Sequence, residues 1–216
     1  MVGVVPVAVS VSSNIRERRL CWAESGHPGL EFATIQLEPD RLFAHGVAIR
    51  TAPAPFRLEY ELTTGSAFVT EQVVVAAVGG DWRRSLELRR TAGGFWSTRT
   101  AQSGLGDLPE PGGEVADLVG ALDADLELSP VFNTMPMLRH HIHEREGVSE
   151  DFLMAWISVP GLTIHPSPQR YSHSAIRGAD ERVVRFEALG TDFAEDVTFD
   201  DEGLVVDYPR VGNRVV

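Results

Sequence analysis

The sequence predicts a mainly β fold built from antiparallel sheet, with few short helices. Two observations carry this expectation. Apolar residues recur with period two in several segments, the signature of strands buried on one face. Turn signals fall between those segments at short spacing, and thirteen prolines and twenty glycines in 216 residues supply them.

The elements follow in chain order. Residues 1–15 are expected to form a poorly ordered extension, with the fold starting near Arg16 and running to residue 216 as one β-rich domain. Phe56, Leu58, Tyr60 and Leu62 alternate with Arg57, Glu59 and Glu61, which reads as a half-buried strand. Leu86 and Leu88 between Ser85, Glu87 and Arg89 repeat the pattern, as do Val184, Phe186 and Ala188 between Arg185 and Glu187. Leu122–Leu128 alternates less regularly. Val73–Val78 and Phe152–Val159 are apolar throughout and read as central strands covered on both faces. Residues 101–120 form a long Gly/Pro/acid segment, read as a loop with a short helix around Glu114–Leu122. Asp81-Trp82, Leu86-x-Leu88 and Gly93 are echoed by Asp192-Phe193, Val197-x-Phe199 and Gly203. That echo suggests pseudo-repeats at about 29–99 and 137–209.

Charge bounds the partners. The chain has 31 acids and 19 arginines, no lysine, and a net charge of -12. Residues 1–99 hold ten acids and eleven arginines, so the whole acidic surplus lies in residues 100–216. Such a chain does not offer the basic patch that phosphate contacts need, so no nucleic-acid partner is expected. A single cysteine, Cys21, excludes an internal disulfide framework and a cysteine-only zinc site. No apolar run is long enough for a transmembrane helix. The apolar stretch Val2–Val11 precedes its arginines rather than following them, unlike a secretory signal. The expected location is the cytoplasm, and the sequence leaves the oligomeric state open.

The most specific stretch is residues 121–139, Ala-Leu-Asp-Ala-Asp-Leu-Glu-Leu-Ser-Pro-Val-Phe-Asn-Thr-Met-Pro-Met-Leu-Arg. It resembles the core of the bacterial family known as "putative glycolipid-binding", with Asp123, Asp125, Leu126, Ser129, Pro130, Asn133, Thr134, Pro136 and Arg139 on the family pattern. Flanking pieces resemble the family too: Trp22 with Gly29-Leu30-Glu31, Arg41-Leu42 with Gly46, Arg57-Leu58-Glu59-Tyr60, Gln169 with Tyr171, and Gly203-Leu204-Val205-x-Asp207-Tyr208-Pro209. The resemblance spans about residues 20–210. It implies two similar half-barrel or roll-like sheets packed as one unit, and a distant likeness to periplasmic carriers of lipids and lipoproteins. The sequence departs from the pattern at residues 140–146, 1–15 and much of 100–120.

The residues themselves offer several chemistries. Asp123 and Asp125, two apart on a strand, share a face. They suit acid–base work, a hard cation, sugar hydroxyls, or a capping role beside Ser129-Pro130. Asn133-Thr134 before Met135-Pro136 reads as a structured loop whose side chains bond backbone or a ligand. Arg139 can clamp Asp123 or Asp125 in bidentate fashion, or grip an anionic head group. His140, His141 and His143 with Glu144 read as an exposed edge strand; there His141 and His143 share a face, the geometry of two metal ligands. The pairs Arg83-Arg84 and Arg89-Arg90, near Trp82 and Trp96, read as solvated strand edges or as stacked cations for an anionic head group. No nucleophile elbow, phosphate loop or dinucleotide fingerprint is present.

No catalytic residue, metal or cofactor is therefore expected, and the chain reads as a non-catalytic module binding a glycolipid or another amphipathic small molecule. The candidate ligand-binding set is Asp123, Asp125, Asn133, Thr134, Arg139, Gln169 and Tyr171. A small enzyme centred on Asp123/Asp125 or His141/His143 is the alternative.

Overall fold

The computed structural model describes residues 15–104, 107–177 and 181–215. Of the expected N-terminal extension, residues 1–14 lie outside the described residues.

Seven strands come first: β1 (Arg16–Glu24), β2 (Leu30–Leu37), β3 (Leu42–Arg50), β4 (Phe56–Thr64), β5 (Thr70–Val78), β6 (Trp82–Arg90) and β7 (Trp96–Gly104). Each hydrogen-bonds to its neighbour in sequence, antiparallel, as a meander. The period-two reading of Phe56–Leu62 is seen directly in β4, where Phe56, Leu58, Tyr60, Leu62 and Thr64 are buried. β3 alternates strictly between buried and exposed. β5, one of the two apolar runs, buries one face fully and half-covers the other.

A crossover follows. Glu114 caps a 3-10 turn at Val115–Leu118 by accepting from the Ala116 N–H at 3.1 Å, inside the segment expected to hold a short helix. The family-like core then runs through β8 (Asp123–Leu126), a 3-10 turn at Pro130–Asn133, and the helix α1 (Thr134–His140). Pro136 is tolerated there because it lies in the first helical turn. The chain finishes with β9 (Ser149–Ile157), β10 (Ile164–Arg177), β11 (Glu181–Ala188), β12 (Ala194–Phe199), β13 (Val205–Tyr208) and β14 (Gly212–Arg214).

All fourteen strands belong to one sheet, ordered β7-β6-β5-β4-β3-β2-β1-β14-β13-β12-β11-β10-β9-β8. The expected pair of half-barrel sheets is replaced by this single sheet: β14 adds to β1, so hydrogen bonding passes without a break from one meander to the other. Every pairing is antiparallel except β8 on β9, which is parallel.

The core divides in two. One cluster joins the β1–β7 side to Leu118, Ala121, Ala124, Leu126, Val131, Phe132 and Met135, so the crossover fills the interior of the first meander. The other gathers Tyr171, Phe186, Phe199 and Tyr208 on the β9–β14 side, with Met137 and Ile142. Tyr171–Phe186 and Phe186–Tyr208 meet edge to face at 5.1 and 5.8 Å, the arrangement ring quadrupoles favour.

The residues after α1 correct a sequence expectation. They form no edge strand. His140 ends the helix, His141 caps it in the left-handed conformation (φ 53°), and the chain continues in turns to Gly147. The His141 side chain is exposed while His143 is buried at 1%. The shared strand face expected for His141 and His143 is therefore absent; the two differ in burial, and each reaches the Glu144 carboxylate, His141 Nδ1 at 3.3 Å and His143 Nε2 at 3.6 Å.

Of the arginine pairs, Arg83 and Arg89 are exposed on β6, whereas Arg84 and Arg90 are held by loop carbonyls. Arg84 is buried and donates to the carbonyls of Leu108 at 2.9 Å, Gly161 at 3.1 Å and Pro109. Arg90 donates to the Ala121 carbonyl at 3.0 Å, which also accepts from the Trp96 indole at 3.2 Å. These side chains tie the loops to β6 and β7.

Candidate functional site

The family-like core is held by three hydrogen-bonded groupings, and they sort the predicted residues. The first closes the core on itself. Arg139, near the end of α1, grips Asp123 at the start of β8 with both terminal nitrogens, Nη1 to Oδ1 at 2.9 Å and Nη2 to Oδ2. Both side chains are largely buried, 1% exposed for Asp123 and 9% for Arg139. Burial raises the Asp123 carboxyl above its usual range, and the Arg139 fork opposes that rise. Asp123 and Arg139 are thereby spent on each other. Thr134 is also fully buried and faces no opening.

The second grouping reaches across the molecule. Glu31 on β2 is buried and accepts from Ser129 Oγ at 2.6 Å, Tyr60 OH at 2.8 Å and Arg50 Nη2 at 3.0 Å. Arg50 Nη2 also donates to the Leu128 carbonyl at 2.7 Å, and Glu24 stands 3.6 Å from Arg50 Nη1. Gly46 is needed here, because a Cβ on it would collide with the Tyr60 ring. Leu128 sits at φ 63°, a conformation a leucine adopts at a cost of about 1–2 kcal/mol. The buried ion pair fastens both that residue's carbonyl and the next residue's hydroxyl.

The third grouping faces an open cavity. Asn133 Nδ2 donates to Tyr171 OH at 2.8 Å, Tyr171 OH donates to Gln169 Oε1 at 3.2 Å, and Gln169 Nε2 donates to Asp125 Oδ2 at 2.6 Å. Asp125, Asn133 and Gln169 line the cavity, and Tyr171 stands behind them. Burial pushes the Asp125 carboxyl up to about 6, opposed by the Gln169 hydrogen bond and reinforced by the Asp123 charge.

The cavity measures about 430 Å³, within the roughly 300–1,000 Å³ of small-molecule sites. Leu126, Glu127, Leu128 and Ser129 form one wall; Trp156, His165, Pro166 and Ser167 from β9 and β10 form another; Phe186, Phe193, Tyr208 and Val211 complete an apolar side. Arg210 also lines it, with Cζ 4.2 Å above the Phe193 ring and Nε on Glu195. Of the seven predicted ligand residues, the cavity brings together Asp125, Asn133 and Gln169, with Tyr171 as their support; Asp123, Arg139 and Thr134 lie away from it.

Sequence reasoning missed Trp156, His165, Phe193 and Arg210, which reach the cavity from strands and turns with no motif of their own. It also missed Glu31 and Arg50 as partners. A signal existed: both occupy positions in phase with the buried residues of their strands, Glu31 with Ala33 and Ile35, and Arg50 with Ala44 and Ala48. Among the described residues, no group of three or more His, Cys, Asp or Glu is placed to hold a metal ion. No helix among them is long and apolar enough to cross a membrane.

Comparison with known proteins agrees with the sequence resemblance. No protein of curated function matches the sequence. A crystal structure of a DUF1089 family protein from Pseudomonas aeruginosa is similar in fold, at 22% identity over 90% of this chain and 95% of that one, with a TM-score of 0.64. At that identity the likeness concerns the fold. The family model described as "Putative glycolipid-binding" matches residues 19–214, nearly everything the strands occupy. The chain belongs to that family.

Proposed function

We propose that the protein is a non-catalytic binding module for an amphipathic, glycolipid-like molecule, and that the 430 Å³ cavity is its binding site. The observation that supports this most is the mixed lining of the cavity. Trp156, Phe186, Phe193 and Tyr208 offer apolar and aromatic surface, while Asp125, Gln169, Asn133 and Ser129 bring hydrogen-bonding groups to the same cavity, with Asp125 beside Trp156 in the β8–β9 register. Asp125, Asn133, Gln169 and Tyr171 are the residues proposed to hold the polar end, with Tyr171 acting through its neighbours. A cytoplasmic location is part of the proposal, to be checked by fractionation of the native host.

The test is direct. Protein purified from its own host is examined by native mass spectrometry and lipid extraction, and then titrated with dodecyl maltoside below its micelle concentration while tryptophan fluorescence is followed. A co-purifying lipid, or saturable quenching that disappears in Trp156→Phe, is expected. Neither a bound lipid nor any shift in fluorescence or Tm would sink the reading.

The alternative is a small enzyme, whose histidine-centred form loses the shared strand face it was read from. Its remaining support is Asp125, whose carboxyl at about 6 suits general acid–base work near neutral pH. Hydrolysis of aryl glycosides that vanishes in Asp125→Asn would favour it.

A further inference from the structure

We propose that the cavity selects uncharged, hydroxyl-bearing head groups and rejects anionic ones, and that Asp125 is the residue that reads the hydroxyl. This rests on the amphipathic-binding reading above. It specifies the chemistry of the polar end.

The first argument is charge. Two carboxylates, Asp125 and Glu127, line the cavity. Glu127 is tied by Oε2 to the Val159 N–H at 2.7 Å, which holds it in place without neutralising it. Arg210 is the one arginine in the lining; its charge is matched by Glu195 and its guanidinium lies over Phe193. His165 is partnered by Thr163 Oγ1 at 3.0 Å. A phosphate, sulfate or carboxylate entering here meets two carboxylates, Asp125 and Glu127, and no unmatched arginine. In a partly desolvated site like charges cost far more than they do in water.

The second argument is the direction of the hydrogen bonds. The Asn133–Tyr171–Gln169 relay consumes the Gln169 carbonyl oxygen, so its amide nitrogen must face Asp125. That nitrogen donates into Oδ2. A proton taken up by Asp125 must then sit on Oδ1, which receives no hydrogen bond from the described residues. When ionised, Asp125 offers the ligand an acceptor; when protonated, it offers a donor. A hydroxyl is both donor and acceptor and is satisfied by either form. An ammonium group is satisfied only by the ionised form and an anion only by the protonated form. With the carboxyl near 6, both forms are populated around neutrality, and a hydroxyl suits the site throughout.

The experiment compares three amphiphiles with the same alkyl chain, dodecyl maltoside, dodecyl phosphate and dodecylammonium, below their micelle concentrations at pH 7.0. Calorimetry and tryptophan fluorescence report Kd. The maltoside is expected to bind the wild-type protein at least ten-fold more tightly than the phosphate, and more tightly than the ammonium. Asp125→Asn is expected to weaken maltoside binding by about ten-fold, the loss of one charge-assisted hydrogen bond, and to tighten phosphate binding. The wild-type order needs no variant, so a poorly folding Asp125→Asn does not block the test. If all three bind alike, or the phosphate or ammonium binds best, the inference falls and the amphipathic reading stands. If none binds, the inference falls, and the amphipathic reading falls with it when no lipid co-purifies either.

Discussion

Ser129 donates its hydroxyl proton to Glu31 at 2.6 Å, across 98 positions of sequence. The contact joins the wall of the cavity to the buried face of a strand in the other half of the sheet. Through it, and through Arg50 on the Leu128 carbonyl, a buried ion pair holds the cavity wall at Leu128 and Ser129.

Breaking that pair from one side is expected to be severe. Arg50→Met leaves Glu31 buried beside Ser129 and Tyr60 without its cation, and is expected to cost about 3–5 kcal/mol in urea unfolding. Ser129→Ala removes one hydrogen bond to a charged group and is expected to cost about 1–3 kcal/mol. Hydrogen exchange should also accelerate at residues 127–129 in Ser129→Ala, while β9 and β10 keep their protection. Unchanged exchange in that turn would mean that the pair does not hold it.

The Asp123–Arg139 fork is expected to behave as a closed unit. Arg139→Met strands a fully buried carboxylate and should cost about 3–5 kcal/mol. The double variant Asp123→Leu with Arg139→Met should be less damaging than the two single losses added together, because no charge is left unpaired. Arg139→Lys should recover only part of the stability, since an ammonium cannot supply the two-pronged contact. Because neither residue lines the cavity, Kd for dodecyl maltoside should stay within about three-fold of wild type in any variant that folds. A double-mutant cycle by denaturant unfolding, with Kd measured beside it, checks all four.

Asp125 is expected to oppose folding at neutral pH. Its carboxyl is raised from 3.8 to about 6, so the folded state holds its proton more tightly than the unfolded chain does. The penalty is fully present above about pH 6 and disappears as pH falls through the window down to about 4. Asp125→Asn should therefore raise stability by about 1–2 kcal/mol at pH 7.5, the shift discounted for partial solvent access, and by nothing measurable at pH 4. Thermal melts of both proteins at the two pH values decide it.

His143 carries the opposite sign. Burial lowers its pKa below 6.5, so the neutral ring is the folded form. Its stability contribution is complete above about 6.5 and is lost as pH falls from there through the lowered folded value. His143→Gln should flatten the fall in Tm between pH 7 and 5 relative to wild type. An unchanged slope would show that another group drives acid unfolding.

Period-two alternation made β4 and β6 legible because each buries one face and wets the other; in β11 it holds at Val184 and Phe186, but Val183 is buried as well. The motif at 121–139 was legible as a unit because its residues are close in sequence. What was not legible is how its two aspartates divide. Asp123 and Asp125 lie on one short strand, and only the tertiary partners, Arg139 for one and Gln169 for the other, separate a carboxylate closed off in an ion pair from one that lines the cavity. The histidine run was misread because α1 has seven residues, too few to show a helical period, and its turn places His141 and His143 in unlike surroundings. Glu31 was hidden by an inversion at the start of β2, where Leu30 points outward at 52% exposure and the acid points in.

The pairing of β14 with β1 has a kinetic consequence. The first meander can zip strand by strand as it is synthesised, and so can the β9–β13 run, since both consist of neighbours in sequence. The seam between them cannot. It waits for three residues near the end of the chain to find a strand that emerged nearly two hundred positions earlier, where Trp22 lies opposite Arg214. Closing so long a loop is entropically slow. The β14–β1 seam is therefore expected to close last, with the edge of β1 left open to mispairing until then.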